Sequence, residues 1–239
     1  MSDRTNELGQ PIGFPVPDWQ PCQPPSRTAM EGRVCRVEPI DPDRHAADLH
    51  LANMADTEHR IWTYMGYGPF ATEADYRAWM ESACLGDDPL FHAVVDKASG
   101  KALGVASYLR IDPGPGVIEV GHINYAPALQ RTVAATEAMF LMMCRVFDEL
   151  GYRRYEWKCD ALNAKSRAAA KRLGFQYEGV FRQATIYKGR NRDTAWFGMT
   201  DLDWPAIKAA FEQWLAPANF DGDGRQKVSL SALTAAALA

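Results

Sequence analysis

Short apolar strands and amphipathic helices alternate along most of this chain, and their order limits the folds that it can adopt. Several strands are joined by short turns, such as KASG between LFHAVVD and KALGVASYLRI. By contrast, a long helix separates the strand GVIEVGHINYA from the next strand, YRRYEWKCD. The pattern predicts an α/β (α+β) fold with a mixed, mostly antiparallel, twisted sheet, one strand–helix–strand crossover, and helices flanking the sheet.

Local signals place the individual elements. Thr72 and Asn163 have the character of helix caps, Pro205 belongs in the first turn of a helix, and Gly189–Arg190–Asn191 reads as a turn. We expect strands at 32–40, 90–96, 101–111, 116–126, 152–160, 175–189 and 192–201, and helices at 42–54, 72–85, from about 129 to 150, 163–173 and 203–215.

The two ends of the chain differ from its middle. Residues 1–30 are rich in proline and predict an extended arm, whereas residues 218–239 begin with a polar linker and end as a weakly helical, alanine-rich tail. A chain of 239 residues can bury one good core. We therefore assign one domain to residues 31–217.

Composition excludes several classes of function. The net charge of −4 gives no basic field for nucleic acid, and the longest apolar stretch is too short to span a bilayer. The five cysteines show no paired spacing and are typical of reduced thiols in a cytoplasmic protein, and the five histidines form no metal-binding motif. Fingerprints of dinucleotide enzymes, P-loop enzymes and serine hydrolases are missing from the sequence.

The stretch LQRTVAATEA, residues 129–138, leads from a strand into a helix. The first N–H groups of a helix are unpaired and lie at the positive end of its dipole, so they can hold a phosphate without any side chain. The same stretch is also what an ordinary buried helix looks like at its start. Taken alone, it does not decide between the two interpretations.

A second stretch, NAKSRAAAKRLGFQYEG, makes the phosphate interpretation stronger. Its Asn163, Ser166 and Leu173–Gly174–Phe175 stand at offsets that resemble the carboxy-terminal signature of the GNAT superfamily of N-acetyltransferases, in particular its RimJ/RimL-like branch. The resemblance covers roughly residues 32–215. It implies a sheet that splays between the family's strands 4 and 5, here 116–126 and 152–160, and the use of acetyl-CoA.

The resemblance makes 129–138 the loop that binds the pyrophosphate of acetyl-CoA. The family's first glycine is replaced by Val133, and Ala135 stands at the second position. Because backbone N–H groups do the binding, we keep the assignment. The implied cofactor-binding residues are Ile123, Asn124 and Tyr125 in the strand, Gln130, Arg131, Thr132, Val133, Ala134, Ala135 and Thr136 in the loop, and Asn163 and Ser166 after the next strand.

The chemistry needs an oxyanion donor, a group that assists the leaving thiolate and a base for the amine. Main-chain N–H groups at 123–125 suit the first role, and the resemblance gives Ser166 the second. Thr185 aligns with a carboxylate of the RimL-like branch and cannot act as a base. Glu119 and His122 are the candidates, and strand alternation predicts that they lie on opposite faces. A water chain without a dedicated base is the remaining alternative.

The acceptor amine is less well defined by the sequence. Trp62, Tyr64 and Tyr67 in IWTYMGYGPF, together with Tyr187, are the candidate substrate-binding residues, although the first three could equally form a small core. We read Asp193 as structural. The expected function is acetyl transfer to a primary amine of a small molecule, in a ternary complex. A protein amino terminus, a non-catalytic acyl-CoA-binding protein and a homodimer remain open.

Overall fold

An eight-stranded sheet forms the centre of the structure, a computed structural model that describes residues 4–239. Residues 1–3 of the predicted arm lie outside the described residues. The strands are β1 (Met30–Glu31), β2 (Cys35–Pro39), β3 (Leu90–Asp96), β4 (Ala102–Asp112), β5 (Val117–Tyr125), β6 (Arg154–Asp160), β7 (Gln176–Tyr187) and β8 (Arg190–Thr200). They are arranged in the order β1-β2-β3-β4-β5-β6-β8-β7, and only the β5–β6 pair is parallel among the strands described. The predicted mixed, mostly antiparallel sheet is confirmed.

Six α-helices surround the sheet: α1 (Pro42–Met54), α2 (Glu73–Ala83), α3 (Val133–Cys144), α4 (Ala164–Arg172), α5 (Trp204–Leu215) and α6 (Leu230–Ala237). The predicted caps are confirmed, since the side chains of Thr72 and Asn163 accept from the N–H groups of Asp75 and Ser166. The helix predicted from about 129 to 150 is shorter. It begins at Val133, and residues 145–149 continue it as a single π turn.

Each face of the sheet has its own hydrophobic core. Helices α3, α4 and α5 cover one face, here called the α3 face, where Ile118, Val120 and Trp157 are buried. Helices α1 and α2 cover part of the other face, here called the α2 face, where Phe91 and Val105 are buried. The two faces therefore offer separate approaches to the centre of the sheet.

The turn between β7 and β8 differs from the prediction. It consists of Lys188 and Gly189, with φ angles of 47° and 70°, and β8 already begins at Arg190. Two-residue hairpin turns need left-handed backbone at both positions, and glycine adopts that conformation without steric cost. The turn predicted at Gly189–Arg190–Asn191 was therefore misplaced by one residue.

β5 and β6 separate part-way along their length. They pair from Val117 opposite Arg154 to Val120 opposite Trp157. Beyond that point the described structure has no register pair between residues 121–125 and residues 158–160. The predicted splay is confirmed, and we call the gap between these two segments the splay.

A β-bulge in β5 lies beside the splay. Gly121 stands opposite Ser107 and Asn124 opposite Val105, so β5 has one residue more than β4 between the two pairs. His122, one of the two residues without a register partner on β4, has a φ of 51°. A bulge of this kind changes the direction of the side chains that follow it.

The bulge corrects the prediction that Glu119 and His122 lie on opposite faces. Glu119 pairs with Leu109, and Gly121 pairs with Ser107, which in turn stands opposite Phe91 on the α2 face. The His122 ring packs 4.9 Å from the Phe91 ring. Glu119 and His122 thus share the α2 face, because the extra residue breaks the regular alternation.

Both ends of the chain contact the rest of the molecule. In the arm, the Trp19 indole N–H donates to the Gly114 carbonyl at 2.7 Å. In the tail, the Leu230 side chain of α6 is fully buried, and the Thr234 hydroxyl donates to the Arg172 carbonyl of α4 at 3.2 Å. The boundaries at 30–31 and 217–218 stay predictions. No helix within residues 4–239 has both the length and the apolar character needed to cross a membrane.

Candidate active site

The loop before α3 leaves several backbone donors free. The N–H groups of Arg131, Val133 and Ala134 donate no hydrogen bond to any residue in the described part of the chain. Three other N–H groups of the predicted loop are used: Gln130 donates to the Ala126 carbonyl (3.2 Å), Thr132 to the Leu129 carbonyl (3.3 Å) and Ala135 to the Thr132 hydroxyl (3.1 Å). The loop can therefore bind an anion through some of the predicted N–H groups, namely those of Arg131, Val133 and Ala134.

Free space adjoins these donors. An open pocket of about 490 Å³ is lined by residues that include Arg33, Lys97, Thr132, Val133 and Ala134. The Val133 side chain packs against the core of the α3 face. The replacement of the family's glycine by valine therefore leaves the N–H group accessible.

Two other predicted cofactor residues are fixed by hydrogen bonds. The Gln130 side chain donates to the Tyr125 carbonyl at 2.7 Å, which ties the loop to the end of β5. The Thr136 hydroxyl accepts from Arg172 of α4 at 3.1 Å. Both contacts stabilise the walls of the loop, while the Arg131 side chain is exposed to solvent.

Asn163 and Ser166 lie at the start of α4, beside the end of β6. The Asn163 side chain caps the helix by accepting from the Ser166 N–H at 3.1 Å. The Ser166 hydroxyl oxygen accepts from the Trp157 indole N–H at 3.0 Å, so its own proton is left for another acceptor, and the Cys159 side chain is one such acceptor nearby. The arrangement places a hydroxyl donor on the α3 face of the splay.

The backbone of β5 at the bulge faces no partner strand. His122 and Ile123 have no register partner on β4, and β6 has already diverged at this level. Asn124 and Tyr125 return to register with β4. Ile123 itself lies in the bulge, outside this register. Because the Ala126 N–H donates to the Leu103 carbonyl of β4, the alternation of the ladder turns the Tyr125 N–H away from β4 and towards the splay.

Glu119 is a buried carboxylate held between two cations. Its Oε2 atom lies 2.7 Å from Arg110 Nη1 and 2.8 Å from Lys158 Nζ. Burial raises the pKa of Glu119 above its ordinary value, and the bonds to Lys158 and Arg110 oppose this shift without cancelling it. Lys158 also contacts Glu156 at 2.7 Å and lies 3.8 Å from the centre of the Trp196 ring. Glu119 therefore belongs to a chain of ion pairs that links Arg110, Glu119, Lys158 and Glu156 beside the splay.

His122 lies at the bulge itself. Its ring stacks on Tyr67 with the ring centres 5.7 Å apart, and its Nδ1 atom is 3.3 Å from the Tyr67 hydroxyl. Burial, followed by the charges of Arg110 and Arg192, lowers the pKa of His122 to about 4. The imidazole is thus neutral near pH 7 and can accept a proton or a hydrogen bond.

In the aromatic segment, residues 61–70, some side chains form a small core and others lie towards the splay, so both interpretations of the sequence apply to part of it. Trp62 is buried in the core of the α2 face, and Tyr67 stacks on Trp79 with ring centres 4.3 Å apart. Tyr64, by contrast, donates through its hydroxyl to the Leu162 carbonyl at 3.2 Å. Lys188 donates to the Trp62 carbonyl at 2.8 Å. These two hydrogen bonds join the segment to elements on the β6 side of the splay.

Sequence reasoning missed a buried carboxylate at the end of β6. Asp160 accepts from the Tyr187 hydroxyl at 2.8 Å and from the Leu162 N–H at 2.8 Å. Burial and the bond to Asp160 raise the pKa of Tyr187 to about 12. The signal in the sequence for the pair of Asp160 and Tyr187 was an acidic residue at the predicted end of the strand that borders the splay.

Two further polar residues differ in their surroundings. Asp193 accepts from the Gln183 N–H at 2.7 Å and from the Asn191 side chain at 3.0 Å, which supports a structural role. Asn124 is 3 % exposed, and neither polar atom of its side chain has a hydrogen-bond partner within residues 4–239. A buried amide without a partner is uncommon in folded proteins, and this one lies in the part of β5 that borders the splay.

Comparison with known proteins identifies the family. Residues 36–176 match the family model of the acetyltransferase (GNAT) domain. The chain belongs to the GNAT acetyltransferases. The enzyme is an N-acetyltransferase of a family that uses acetyl-CoA, and the predicted fold and cofactor are confirmed.

Solved structures agree with this identification. A GCN5-related N-acetyltransferase from Brucella melitensis is 48% identical, with a TM-score of 0.90, over 92% of this chain and 100% of that one. A GNAT-family acetyltransferase from Chromobacterium violaceum is 41% identical, with a TM-score of 0.76, over 82% of this chain and 98% of that one. None of the curated proteins matches the chain in sequence.

The RimL-like branch has weaker support. RimL, a ribosomal L7/L12 α-N-protein acetyltransferase solved with coenzyme A, is 16% identical, with a TM-score of 0.58, over 72% of this chain and 97% of that one. An identity this low shows a shared fold only. The assignment to the RimJ/RimL-like branch stays a prediction.

Proposed function

We propose that the enzyme acetylates the primary amine of a small molecule, by direct attack on acetyl-CoA in a ternary complex. The observation that carries the proposal is the pair of hydrogen bonds from Tyr64 to Leu162 and from Lys188 to Trp62. They hold the aromatic segment across the α2 face of the splay. A segment that crosses the approach in this way obstructs the folded surface of a protein more than it obstructs a small acceptor.

The donor binds from the opposite face in this proposal. The free N–H groups of Arg131, Val133 and Ala134 hold the pyrophosphate, and the Asn163 side chain contacts the pantetheine arm. The main-chain N–H groups of Ile123 and Tyr125 are the donors for the thioester oxygen, where negative charge develops. The Ser166 hydroxyl donates to the leaving sulfur, a modest task because a thiol is already fairly acidic.

The amine reaches the thioester from the α2 face, where Glu119 and His122 both lie. We propose Glu119 as the group that removes the proton, by way of a water molecule, with His122 as the alternative. Arg110 and Lys158 favour the ionised form of the Glu119 carboxylate, which the reaction requires of a base. His122 has the more direct position but is the weaker base, because its pKa is lowered to about 4.

The test is a comparison of acceptors. The enzyme is incubated with acetyl-CoA and with amino acids, polyamines, amine antibiotics or short peptides with free amino termini, and thiol release is followed. We expect at least one small amine to exceed every peptide in kcat/KM by tenfold or more. Faster turnover of peptides would assign the enzyme to protein amino termini, and CoA binding without turnover of any amine would indicate a non-catalytic protein.

A further inference from the structure

Two cationic side chains on the α2 side of the splay have no carboxylate partner in the described part of the chain. Arg192 donates through Nε to the Thr194 hydroxyl at 3.2 Å, and its guanidinium lies 5.9 Å from the centre of the Tyr187 ring. Lys188 donates to the Trp62 carbonyl. In neither case is an acidic side chain within ion-pair distance among residues 4–239.

The carboxylates of the same region already have partners. Asp160 accepts from the Tyr187 hydroxyl and from the Leu162 N–H. Glu119 accepts from Arg110 and Lys158. The partners of Asp160 are neutral, so this residue keeps its negative charge, but it forms no ion pair with Arg192 or Lys188. These two cations therefore retain N–H donors for an anionic ligand.

Arg192 lies beside β6, because its hydrogen-bond partner Thr194 stands opposite Asp160 in the register of β6 and β8. It contributes to the lowered pKa of His122 on β5, after burial and Arg110. On β6, burial raises the pKa of the Cys159 thiol, and Arg192 is among the groups that oppose this shift. A group bound by the Arg192 guanidinium would lie beside the gap where the amine has to react.

Building on the proposed function, we propose that the acceptor is a small primary amine that also carries an anionic group, a carboxylate or a phosphate, which Arg192 binds. The planar guanidinium matches either group in a two-point hydrogen bond. Lys188, next to the same site, adds a second positive charge. Amino acids and aminoalkyl phosphates are the simplest molecules of this class.

The first experiment compares acceptors that differ only in the anionic group. Amino acids are paired with their carboxamides, and phosphoethanolamine is paired with ethanolamine, and kcat/KM is measured by thiol release at low ionic strength. We expect the anionic member of at least one pair to be preferred by tenfold or more. A carboxamide leaves more of its amine neutral, so intrinsic reactivity works against the expected preference for amino acids.

The second experiment tests the residue. Arg192→Gln should reduce kcat/KM for the preferred anionic acceptor by on the order of 10- to 100-fold, the usual effect of losing a charge-assisted hydrogen bond, and leave its neutral partner within threefold. Arg192→Lys should restore part of the preference. Arg225→Gln, at an exposed arginine of the tail, is the control and should leave the preference unchanged. CoA affinity serves as the check on folding.

Three outcomes separate the two proposals. Equal use of anionic and neutral amines would overturn the anionic acceptor but leave the small-amine function intact. An equal loss for both members of a pair in Arg192→Gln would make Arg192 a structural residue and overturn its binding role. No turnover with any amine, with CoA still bound, would overturn the proposed function itself.

Discussion

The Glu119 carboxylate and the His122 imidazole share the α2 face, and only one of them needs to accept the proton of the amine. Glu119→Gln keeps the shape of the side chain and removes its charge. If Glu119 is the base, kcat at pH 7 should fall by about 10²- to 10⁴-fold, and the residual rate should rise steadily with pH as the amine loses its proton in solution. The measurement is the pH profile of kcat.

His122→Asn is the matched comparison for this experiment. Asparagine tolerates the left-handed backbone at this position, where φ is 51°, so the bulge can persist. We expect a small loss in kcat and a pH profile of the wild-type shape. If His122→Asn removes the acid limb of the profile and Glu119→Gln retains it, the roles of the two residues are exchanged.

His92 makes stability depend on pH. It is fully buried on β3, neither ring nitrogen has a hydrogen-bond partner within residues 4–239, and burial lowers its pKa to about 4. In the unfolded chain the ring takes up a proton below about pH 6.5, whereas the folded protein does not until about pH 4. Its contribution to stability is complete above pH 6.5 and is lost as the pH falls through this window.

His92→Leu should reduce this pH dependence. The measurement is the free energy of unfolding in urea at pH 7.5 and at pH 5. Its decrease from pH 7.5 to pH 5 should be about 2 kcal/mol smaller in the variant than in the wild type. His59→Asn, at an exposed histidine, should behave like the wild type. An unchanged pH dependence in His92→Leu would mean that His92 is protonated in the folded protein.

The loop before α3 makes a prediction at the scale of a whole element. Val133→Pro removes one of the free N–H groups, yet proline is favoured at the first position of a helix, as Pro42 in α1 shows. Thr132 already has the extended backbone that precedes a proline. We expect the affinity for CoA, measured by calorimetry, to fall about tenfold without loss of the helix.

Val133→Gly is the control for that variant because it retains the N–H group. Its affinity for CoA should stay within threefold of the wild type, with a small loss of stability from the missing side chain. If both variants bind CoA as tightly as the wild type, the pyrophosphate does not rest on this N–H group.

Most elements could be predicted from the sequence because their signals are local. Helix α1 lies where the apolar spacing predicts it, and the side chains of Thr72 and Asn163 cap their helices. The bulge at His122 could not be predicted, since it depends on the register between β4 and β5 rather than on neighbouring residues. Hence the prediction that Glu119 and His122 lie on opposite faces of the sheet was wrong.

The sequence likewise predicted some parts of the candidate site and missed others. The loop before α3 and the start of α4 each follow a strand directly, and their short motifs mark them in the sequence. Asp160, Lys188 and Arg192 come from three positions that only the sheet topology brings to the splay. Each resembles an ordinary surface or strand residue until its partners, or their absence in the described chain, are known.

At the scale of the molecule, the tail contacts the helices that form the proposed acetyl-CoA site. Leu230 of α6 is fully buried, and Thr234 bonds to Arg172, which in turn bonds to Thr136 of α3. Leu230→Ala should lower the free energy of unfolding by roughly 2–4 kcal/mol, the usual range for a buried leucine. Denaturant unfolding checks this value.

The control for this variant lies in the same segment. Leu238→Ala, at a side chain that is 36% exposed, should cost well under half as much. Equal and small losses for both variants would mean that α6 detaches from the domain before the rest unfolds, so that the tail contributes nothing to global stability.

The two hydrogen bonds that hold the aromatic segment across the splay also bear on kinetics. An acceptor passes them on entering, and the acetylated product, now larger and without its amine charge, passes them again on leaving. We expect each passage to break and reform the hydrogen bonds of Tyr64 and Lys188. Loop motions of this type take microseconds to milliseconds. We therefore expect added viscogen to lower kcat through the release of product, and a kcat that does not depend on viscosity would contradict this expectation.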